Sequence, residues 1–376
     1  MKPPKIAIVH EWLVDYSGSE RVVEQLLNIF PEADLFALVE NLPEDLRWFI
    51  QDKKVSTSFI QKLPWGKTKY RNYFPLMPYA VEQFDLRAYD IVISSNHAVA
   101  KGVMIDSEQL HITYCHSPIR YAWDLYHQYI EEAKLTSGIK GFFAKIALHY
   151  IRIWDVTSAN KVDYFIANSK FIARRIKRVY NRESNVIYPP VATDKFDIQL
   201  PKEDYYVTAS RFVPYKKMDL IVEAFAKMPD KKLVVIGDGP DYKRVSAKKY
   251  NNIEFLGFQS FDVLKSHMQC AKAFVFAAIE DFGITPVEAM ACGTPVIALY
   301  EGGAKESVIQ DKTGIFFHEQ EPSSLVAAVH ELEQKYNQFQ PEEIRKHSQN
   351  FSVQRFREEF ERFVNEKYAH FLSDKS

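Results

Sequence analysis

Two glutamates in the C-terminal third of the chain are separated by seven residues that include a glycine and a proline. They are Glu280 and Glu288, in the run E-D-F-G-I-T-P-V-E-A-M-A-C-G-T-P-V-I. A glycine such as Gly283 lets the backbone approach a ligand closely, and free N–H groups at a helix start favour an anion such as phosphate. Two carboxylates can also form the acid–base pair of a glycoside hydrolase. The run therefore predicts a ligand site, and both kinds of chemistry are open at this point.

The elements around this run predict its place in a fold. Residues 273–276 and 295–298 are apolar enough for buried strands. Together with the intervening helix they make a βαβ unit, whose loop lies where open α/β sheets bind ligands. We expect Thr285 to be the N-cap and Pro286 to lie in the first helical turn, with Glu288 in the same turn. The T-x-x-E spacing also fits a capping box, so a purely structural Glu288 is the alternative.

The whole run resembles the E-x7-E signature of the family-4 retaining glycosyltransferases, because both acids, the glycine, E-A-M-A and G-T-P-V stand in order. This family has the GT-B architecture, an α/β fold of two facing doubly wound Rossmann-like domains. The resemblance implies that Glu280 contacts hydroxyl groups of the donor sugar and that Glu288 binds the nucleotide ribose. It also implies that a short segment faces the sugar and diphosphate, namely Phe282, Gly283, Ile284 and Thr285.

A basic pair follows a predicted strand end at Arg211 and Lys216. Arginine can bind phosphate in a bidentate fork and lysine adds a point charge, although a solvated loop pair is the alternative. The loop resembles the family's G-R-L-x-x-x-K-G pattern, with Ser210 and Lys217 in place of the two glycines. The resemblance implies that Arg211 and Lys216 hold the donor diphosphate. Cations and a helix start would stabilise the charge on the leaving phosphate, so we expect no cofactor and no metal.

The first predicted strand, residues 5–10, is followed by a loop over residues 11–18 and a helix from about residue 19 to 29. No G-x-G-x-x-G is present, which argues against a nicotinamide or flavin site. The loop resembles the family's G-G-x-E-R segment, with Ser17 replacing the first glycine. Gly18 and Ser19 would then approach the diphosphate and acceptor. An ordinary helix cap at Ser17 or Ser19 explains the same residues.

A histidine ends the predicted strand at residues 111–115. The family keeps a histidine at such a strand end beside the donor sugar, so the resemblance implies a catalytic role for His116, as it does for Glu280, Arg211 and Lys216. A hydrogen-bonded structural histidine is the alternative. Asn96 and His97, at another strand end, are further candidates for acceptor contacts.

Two α/β series separated by a proline-containing linker predict two domains. The expected boundaries are 1–190 for the acceptor-side domain, 191–351 for the nucleotide-sugar domain, and 352–376 for an amphipathic helix that crosses back to the first domain. Further strands are predicted at residues 89–94, 163–168 and 184–188, and then at 205–210, 232–236, 253–256, 296–298 and 314–317. Base recognition is expected at the end of the strand near Phe258.

Composition narrows the class of protein. The chain has 376 residues, 47% of them hydrophobic, and a net charge of −1, which argues against a dedicated nucleic-acid binder. Three cysteines without zinc-ligand spacing, and the lack of a signal peptide or a long apolar segment, favour the cytoplasm. Two basic–aromatic stretches, residues 61–74 and 140–148, suggest peripheral contact with the inner face of the membrane. A packed helix with a solvated face is the alternative.

These features lead to one functional prediction. The H-E-W-L and C-H-S-P-I-R-Y segments resemble bacterial polysaccharide and O-antigen mannosyltransferases. We therefore expect transfer of a hexose, mannose from GDP-mannose, from a nucleotide-sugar donor to a saccharide or lipid-linked acceptor in cell-surface polysaccharide synthesis. A nucleotide-sugar epimerase, a glycoside hydrolase and a non-catalytic nucleotide-sugar-binding scaffold remain the alternatives.

Overall fold

The computed structural model describes residues 3–199 and 201–375, and the chain divides into two compact units. The first unit contains the chain up to Tyr188 together with the chain from Arg357 onward. The second unit runs from Pro189 to Phe356. Each unit is built around its own parallel sheet.

The described part of the first unit contains a seven-stranded parallel sheet with helices between its strands. Its elements are, in order, β1 (Ile6–Leu13), α1 (Gly18–Ile29), β2 (Asp34–Glu40), β3 (Val55–Thr57), α2 (Met77–Val81), β4 (Ile91–Asn96), β5 (Leu110–Cys115), α3 (Tyr126–Glu132), α4 (Gly138–Ala159), β6 (Tyr164–Ala167), α5 (Lys170–Tyr180) and β7 (Ser184–Val186). The strand order is β3-β2-β1-β4-β5-β6-β7. Every residue of β4 and β5 is buried, as expected for a parallel sheet covered on both faces.

Two sequence expectations for this unit were wrong. Strand β1 continues to Leu13, so Glu11, expected in a loop, is fully buried on the strand. Strands β2 and β3 were not predicted, although residues 35–39 form a continuous buried apolar run. Strand β2 pairs with β1 along most of its length, and this pairing extends β1 beyond its apolar start.

The described part of the second unit contains a six-stranded parallel sheet. Its elements are β8 (Tyr205–Ala209), α6 (Met218–Ala226), β9 (Lys232–Ile236), α7 (Tyr242–Ser246), β10 (Ile253–Gly257), α8 (Phe261–Cys270), β11 (Ala273–Phe276), α9 (Ile284–Ala291), β12 (Val296–Leu299), α10 (Ala304–Ser307), β13 (Gly314–Phe317), α11 (Pro322–Gln334) and α12 (Pro341–Ser348). The strand order is β10-β9-β8-β11-β12-β13. The six strands predicted here are confirmed to within one residue at each end.

Both sheets reverse their strand order at an internal point, between β1 and β4 in the first unit and between β8 and β11 in the second. This is the doubly wound arrangement, and ligands bind at the carboxyl ends of the strands beside such a reversal. The predicted α/β fold with two Rossmann-like sheets is confirmed.

The last helix, α13 (Val353–Asp374), runs from the second unit into the first. Its residues Phe360 and Val364 are buried. The Phe360 ring centroid lies 6.2 Å from that of Tyr114 on β5, and Arg357 Nε donates to Gln25 Oε1 at 2.7 Å. The expected return of the C-terminal helix to the first domain is confirmed.

Candidate active site

The loop after β11 carries Glu280 and lies against the loop after β12. The Gly303 N–H donates to the Glu280 carbonyl at 2.8 Å. A Cβ on Gly303 would lie 2.2 Å from Phe282 Cα, and one on Gly302 would lie 2.6 Å from the Glu280 carbonyl oxygen. Only glycines fit this close contact, so Gly302 and Gly303 fix how near the Glu280 loop lies to the loop after β12. The sequence analysis missed both glycines, although a G-G pair after an apolar strand is a recognisable signal.

Helix α9 begins two residues earlier than expected. Gly283 is its N-cap with φ of +88°, and Ile284 is the first helical residue. Thr285 is therefore not the cap, and Pro286 is the third residue of the helix. Gly283 accommodates the left-handed φ because it lacks a Cβ. The N–H groups of Ile284 and Thr285 lie in the first turn, where intrahelical acceptors are lacking.

Glu288 lies beyond the first turn of α9, in which the structure shows no acidic residue. The expected first-turn position of Glu288 is thus wrong, and so is the alternative of a capping box from Thr285 to Glu288. The side chain is only 5% exposed. Glu288 follows Glu280 at the family spacing, but on a buried helix face rather than on the loop.

Lys216 and Glu280 form an ion pair between the loop after β8 and the loop after β11. Both side chains are largely buried, with 17% and 19% exposure. Arg211, in the same loop as Lys216, is exposed. The structure therefore brings two of the predicted diphosphate and sugar contacts together at the reversal point of the second sheet.

Lys217 adopts a left-handed conformation, with φ of +55° and ψ of +36°. It ends the short 3-10 turn Pro214–Lys216 and precedes α6. A glycine is favoured in this region of backbone space. Lys217 stands where the family pattern has its second glycine, and it adopts the left-handed backbone conformation that favours glycine.

The loop that carries Arg211 is held by the loop after β9. The Phe212 N–H donates to the Asp238 carbonyl at 2.9 Å, and the Asp241 N–H donates to the Phe212 carbonyl at 3.1 Å. A Cβ on Gly237 would lie 1.9 Å from the Ser210 carbonyl oxygen. These backbone contacts fix the start of the basic loop and leave the Arg211 side chain at the surface.

Phe258 follows β10, the edge strand of the second sheet, and is 81% exposed. Strand β10 is three positions from β11 in the sheet, or about 14 Å at the usual strand spacing. The structure thus places Phe258 on the same sheet edge as Glu280 without bringing the two side chains together.

In the first unit, His116 directly follows β5 and is partly buried. Its Nε2 lies 2.9 Å from Ser95 Oγ, and its N–H donates to the Asn96 carbonyl at 2.8 Å. Burial, with the nearby His97 and His10 adding to it, lowers the pKa of His116 to about 3. The imidazole is therefore neutral near pH 7 and can hydrogen-bond but not carry charge.

Gly18 and Ser19 are the first two residues of α1, at the carboxyl end of β1. Ser17 is the N-cap, and its N–H donates to Glu20 Oε2 at 3.2 Å. The Ser19 hydroxyl donates to the same oxygen at 2.9 Å. The capping alternative is thus present in the structure, and the ligand role of Gly18 and Ser19 stays a prediction.

A buried polar cluster at the same sheet edge was missed by the sequence analysis. His10 and Glu20 are buried, and His10 Nε2 lies 3.3 Å from Glu20 Oε1. Burial raises the pKa of Glu20, but hydrogen bonds and charge from His10 outweigh it and lower that pKa to about 2. Glu11 joins this cluster from β1. The H-E-W-L segment gave the signal, since two polar residues here interrupt a buried strand.

Asn96 does not fit its predicted role in contacting the acceptor substrate. It is fully buried on β4, and its Oδ1 accepts the Lys101 N–H at 3.0 Å. His97, the next residue, is partly exposed. Of the two candidates, only His97 is accessible to a ligand.

Two further findings concern metal binding and membrane-spanning helices. No group of three or more histidine, cysteine, aspartate or glutamate side chains in the described ranges is arranged to hold a metal ion. No helix within residues 3–199 and 201–375 has the length and apolar character that crossing a bilayer requires.

Known proteins resemble this chain in sequence and in fold. An uncharacterised glycosyltransferase of Methanocaldococcus jannaschii is 32% identical over 206 residues, which are 53% of this chain and 54% of that protein. A GDP-mannose-dependent monoacylated alpha-(1-6)-phosphatidylinositol monomannoside mannosyltransferase of Corynebacterium glutamicum is 33% identical over 114 residues, which are 26% of this chain and 30% of that protein. The chain thus spans about half the length, or less, of these curated relatives.

The crystal structure of HepE from Anabaena in complex with UDP superimposes with a TM-score of 0.69 at 15% identity, covering 96% of this chain and all of that one. This likeness shows the fold. The family model described as Glycosyltransferase Family 4 matches residues 16–195, and the one described as Glycosyl transferases group 1 matches residues 191–351. Since the two matches together span both units, the chain belongs to the family-4 glycosyltransferases of GT-B fold.

Proposed function

We propose that this protein is a retaining glycosyltransferase that moves a hexose from a nucleotide-diphosphate sugar to a saccharide or lipid-linked acceptor. The observation that carries the proposal is the Lys216–Glu280 ion pair beside the start of α9, at the reversal point of the second sheet. A cation, a carboxylate and free helical N–H groups are the chemistry that a sugar diphosphate needs.

In the proposed reaction, these groups act on the phosphate that leaves. The bond between the sugar's anomeric carbon and the phosphate oxygen breaks, and the acceptor oxygen bonds to the same carbon. Negative charge develops on the departing phosphate, which takes up the acceptor's proton. Arg211, Lys216 and the first N–H groups of α9 stabilise that charge. Glu280 accepts hydrogen bonds from sugar hydroxyls, and His116 contributes as a neutral hydrogen-bonding group.

We propose mannose from GDP-mannose as the donor. The support is the sequence resemblance of H-E-W-L and C-H-S-P-I-R-Y, together with a relative whose name describes it as GDP-mannose-dependent. Thermal-shift measurements with GDP, UDP, ADP and their common sugar conjugates test this. A ligand that binds only the folded state raises the melting temperature. We expect the largest shift with GDP-mannose, and its loss in Glu288→Gln.

The controls for this test come from the same region. Glu301→Ala changes an exposed acid on the loop after β12 and should keep the shift. A shift with UDP or ADP sugars alone would overturn the GDP-mannose assignment and keep the transferase. Product analysis with donor and no acceptor separates the alternatives, because an epimerase yields an epimer and a hydrolase yields free sugar. No shift with any nucleotide would contradict the proposed donor site.

We also propose peripheral contact with an anionic membrane through helix α4. Large apolar side chains recur on one face at helical spacing and are exposed: Ile139, Phe142, Phe143, Ile146, Tyr150 and Ile153. Phe142 and Phe143 are each 62% exposed. A surface helix normally turns such a face toward a core. This face has solvent instead, which favours a lipid surface.

The charge of the same region is complementary to anionic lipid. Helix α4 carries Lys140, Lys145 and Arg152, and its sequence has no acidic residue before Asp155. The other basic–aromatic stretch, residues 61–74, reaches α4 from its buried side, because Phe74 packs against the cluster that contains Leu148 and Ile151. The exposed side of α4 by itself combines apolar and basic side chains, as interfacial binding requires.

Liposome flotation tests the membrane proposal. We expect the protein to float with vesicles of phosphatidylglycerol and phosphatidylcholine, and much less with phosphatidylcholine alone. Phe142→Ser with Phe143→Ser should reduce binding at least about tenfold, since burying one such ring contributes about 1.5–3 kcal/mol. Phe261→Ser, at a 44% exposed phenylalanine of the second unit, is the matched control. Equal binding by all three proteins, or none by the wild type, would contradict the proposal.

A further inference from the structure

Glu11 is a fully buried carboxylate at the reversal point of the first sheet. Its Oε1 accepts the N–H groups of the turn that follows β4, at 2.9, 2.8, 3.1 and 3.2 Å from His97, Ala98, Val99 and Ala100. One carboxylate oxygen thus accepts hydrogen bonds from all four N–H groups of this turn. Capping the turn in this way needs neither Glu11 Oε2 nor a cation.

The second oxygen of Glu11 is used by His97. Glu11 Oε2 lies 3.0 Å from His97 Nδ1. The Nδ1 atom is buried, whereas 27% of the His97 side chain is exposed. The carboxylate therefore contacts the ring at its buried nitrogen, while part of the His97 side chain stays accessible. A carboxylate on Nδ1 sets the orientation and protonation of a histidine in this way.

The surroundings of His97 favour its protonated form. Burial lowers its pKa, but the charge and hydrogen bond of Glu11 outweigh burial and raise it above the ordinary histidine value. Glu20 raises it further, and Arg71 opposes protonation. The Glu11 carboxylate stays ionised, because His97, His10 and the turn N–H groups lower its pKa despite burial. Glu11 thus favours the imidazolium form of His97.

A second cation lies in the same neighbourhood. Arg71 is exposed, and its guanidinium lies 5.6 Å from the Tyr70 ring centroid. The Tyr70 ring packs 5.1 Å from Trp12, which in turn packs edge-on to His97 at 4.8 Å. The Tyr70 and Trp12 rings thus link Arg71 to His97. The neutral His116 ring lies 6.3 Å from His97 on the other side.

We propose that His97, oriented by Glu11, and Arg71 form an oxyanion-binding site in the first unit, which takes a phosphate group of a substrate. Arg71 opposes protonation of His97, and an anion that binds both groups would offset this repulsion. Glu11 is a positioning residue, and His97 and Arg71 are the binding residues. The inference rests on the proposed function, in which the phosphate belongs either to a lipid-linked acceptor or to the donor diphosphate.

The test uses the full-length protein with 13C-labelled histidine side chains and inorganic phosphate as the probe. His97→Gln assigns the His97 signal. We expect phosphate to shift this signal saturably and to raise the His97 pKa in the wild type. Arg71→Gln should weaken phosphate binding about tenfold, as expected for loss of a charge-assisted hydrogen bond. Glu11→Gln keeps an oxygen for the turn N–H groups but should lower the His97 pKa, which a merely capping Glu11 would not do.

Lys62→Gln is the matched control, since it removes an exposed cation from the same part of the chain. A phosphate effect on His97 that is absent, or equally weakened by Lys62→Gln and Arg71→Gln, would overturn the proposal. GDP and a short prenyl phosphate then distinguish the sources. A His97 shift with prenyl phosphate alone assigns the site to the acceptor, and one with GDP assigns it to the donor. A nucleotide-induced thermal shift that persists while His97 ignores phosphate would refute this inference and leave the proposed function intact.

Discussion

Lys216 and Glu280 form an ion pair across the two strands at which the second sheet reverses its order, β8 and β11. The pair is four-fifths buried on each side. A partly buried pair is less screened by salt than a surface pair. Lys216 therefore orients the Glu280 carboxylate before any ligand arrives, and a bound diphosphate would give the ammonium a second anion.

Removing either partner should impair transfer. Glu280→Gln and Lys216→Ala should each lower kcat/KM for the nucleotide-sugar donor by about 10²–10³, the loss typical of a preorganised charge-stabilising group. Steady-state kinetics with the identified donor measure this. Lys232→Ala is the matched control, because Lys232 and Glu254 form a more exposed pair on neighbouring strands. Equal effects in the control and site variants would argue against a specific role for the Lys216–Glu280 pair.

Replacing Lys217 with glycine should stabilise the protein. Its φ of +55° costs a non-glycine residue about 1–2 kcal/mol. Lys217→Gly should recover about 1 kcal/mol of the free energy of unfolding, after the entropy that glycine adds to the unfolded chain. Urea unfolding followed by circular dichroism measures it. Lys217→Ala removes the same charge while retaining the strained conformation, so it should not gain stability; a gain there would indicate that charge rather than backbone strain matters.

Adding one methyl group at Gly303 should displace the Glu280 loop. The new Cβ would lie 2.2 Å from Phe282 Cα, so one of the two loops must move. Such overpacking usually costs about 1–3 kcal/mol. Gly303→Ala should therefore lower stability by that amount and weaken donor binding, measured by calorimetry. Glu301→Ala, in the same loop at an exposed position, should leave both unchanged. Wild-type affinity in Gly303→Ala would show that the loop contact does not set the donor site.

His111 should make stability depend on pH. It is fully buried on β5, and burial, opposed by a backbone hydrogen bond and aided by the charge of Lys101, lowers its pKa to about 3. Below the unfolded pKa of about 6.5, the unfolded chain binds a proton that the folded chain does not. The folded state thus loses stability from His111 as the pH falls from about 6.5 toward 3.

A comparison of variants isolates this effect. His111→Gln lacks the titration, so its stability deficit relative to the wild type should shrink by about 2 kcal/mol between pH 7 and pH 5. Urea unfolding at both pH values measures it, with His149→Gln, an exposed histidine of α4, as the control. A deficit that stays constant between the two pH values would mean that His111 is protonated in the folded protein.

The second unit was largely predictable from sequence, because each of its strands is a short apolar run bounded by loop residues. The start of α9 was not. A threonine followed by proline is a common helix start, yet the helix begins two residues earlier, after the left-handed Gly283. The loop just before this helix lies against Gly302 and Gly303 of the next loop, a contact that the local sequence does not show.

The buried edge of the first sheet was harder to predict. Glu11 contacts the turn after β4 only because β1 and β4 are neighbours. A glutamate in the middle of a strand interrupts the apolar pattern. The sequence analysis therefore ended β1 at His10. The charge is tolerated because four N–H groups and one histidine surround it. The two polar residues of H-E-W-L mark the place, but the partners that compensate the charge are distant in sequence and cannot be read from it.

The return of α13 to the first unit has a consequence for synthesis. Phe360 and Val364 are buried, and Phe360 packs on Tyr114 of a sheet whose strands all precede the second unit in the sequence. The helical residues from Arg357 onward belong to the same unit as that sheet. On the ribosome, the unit whose sheet is translated first is therefore completed only after the whole second unit has been made.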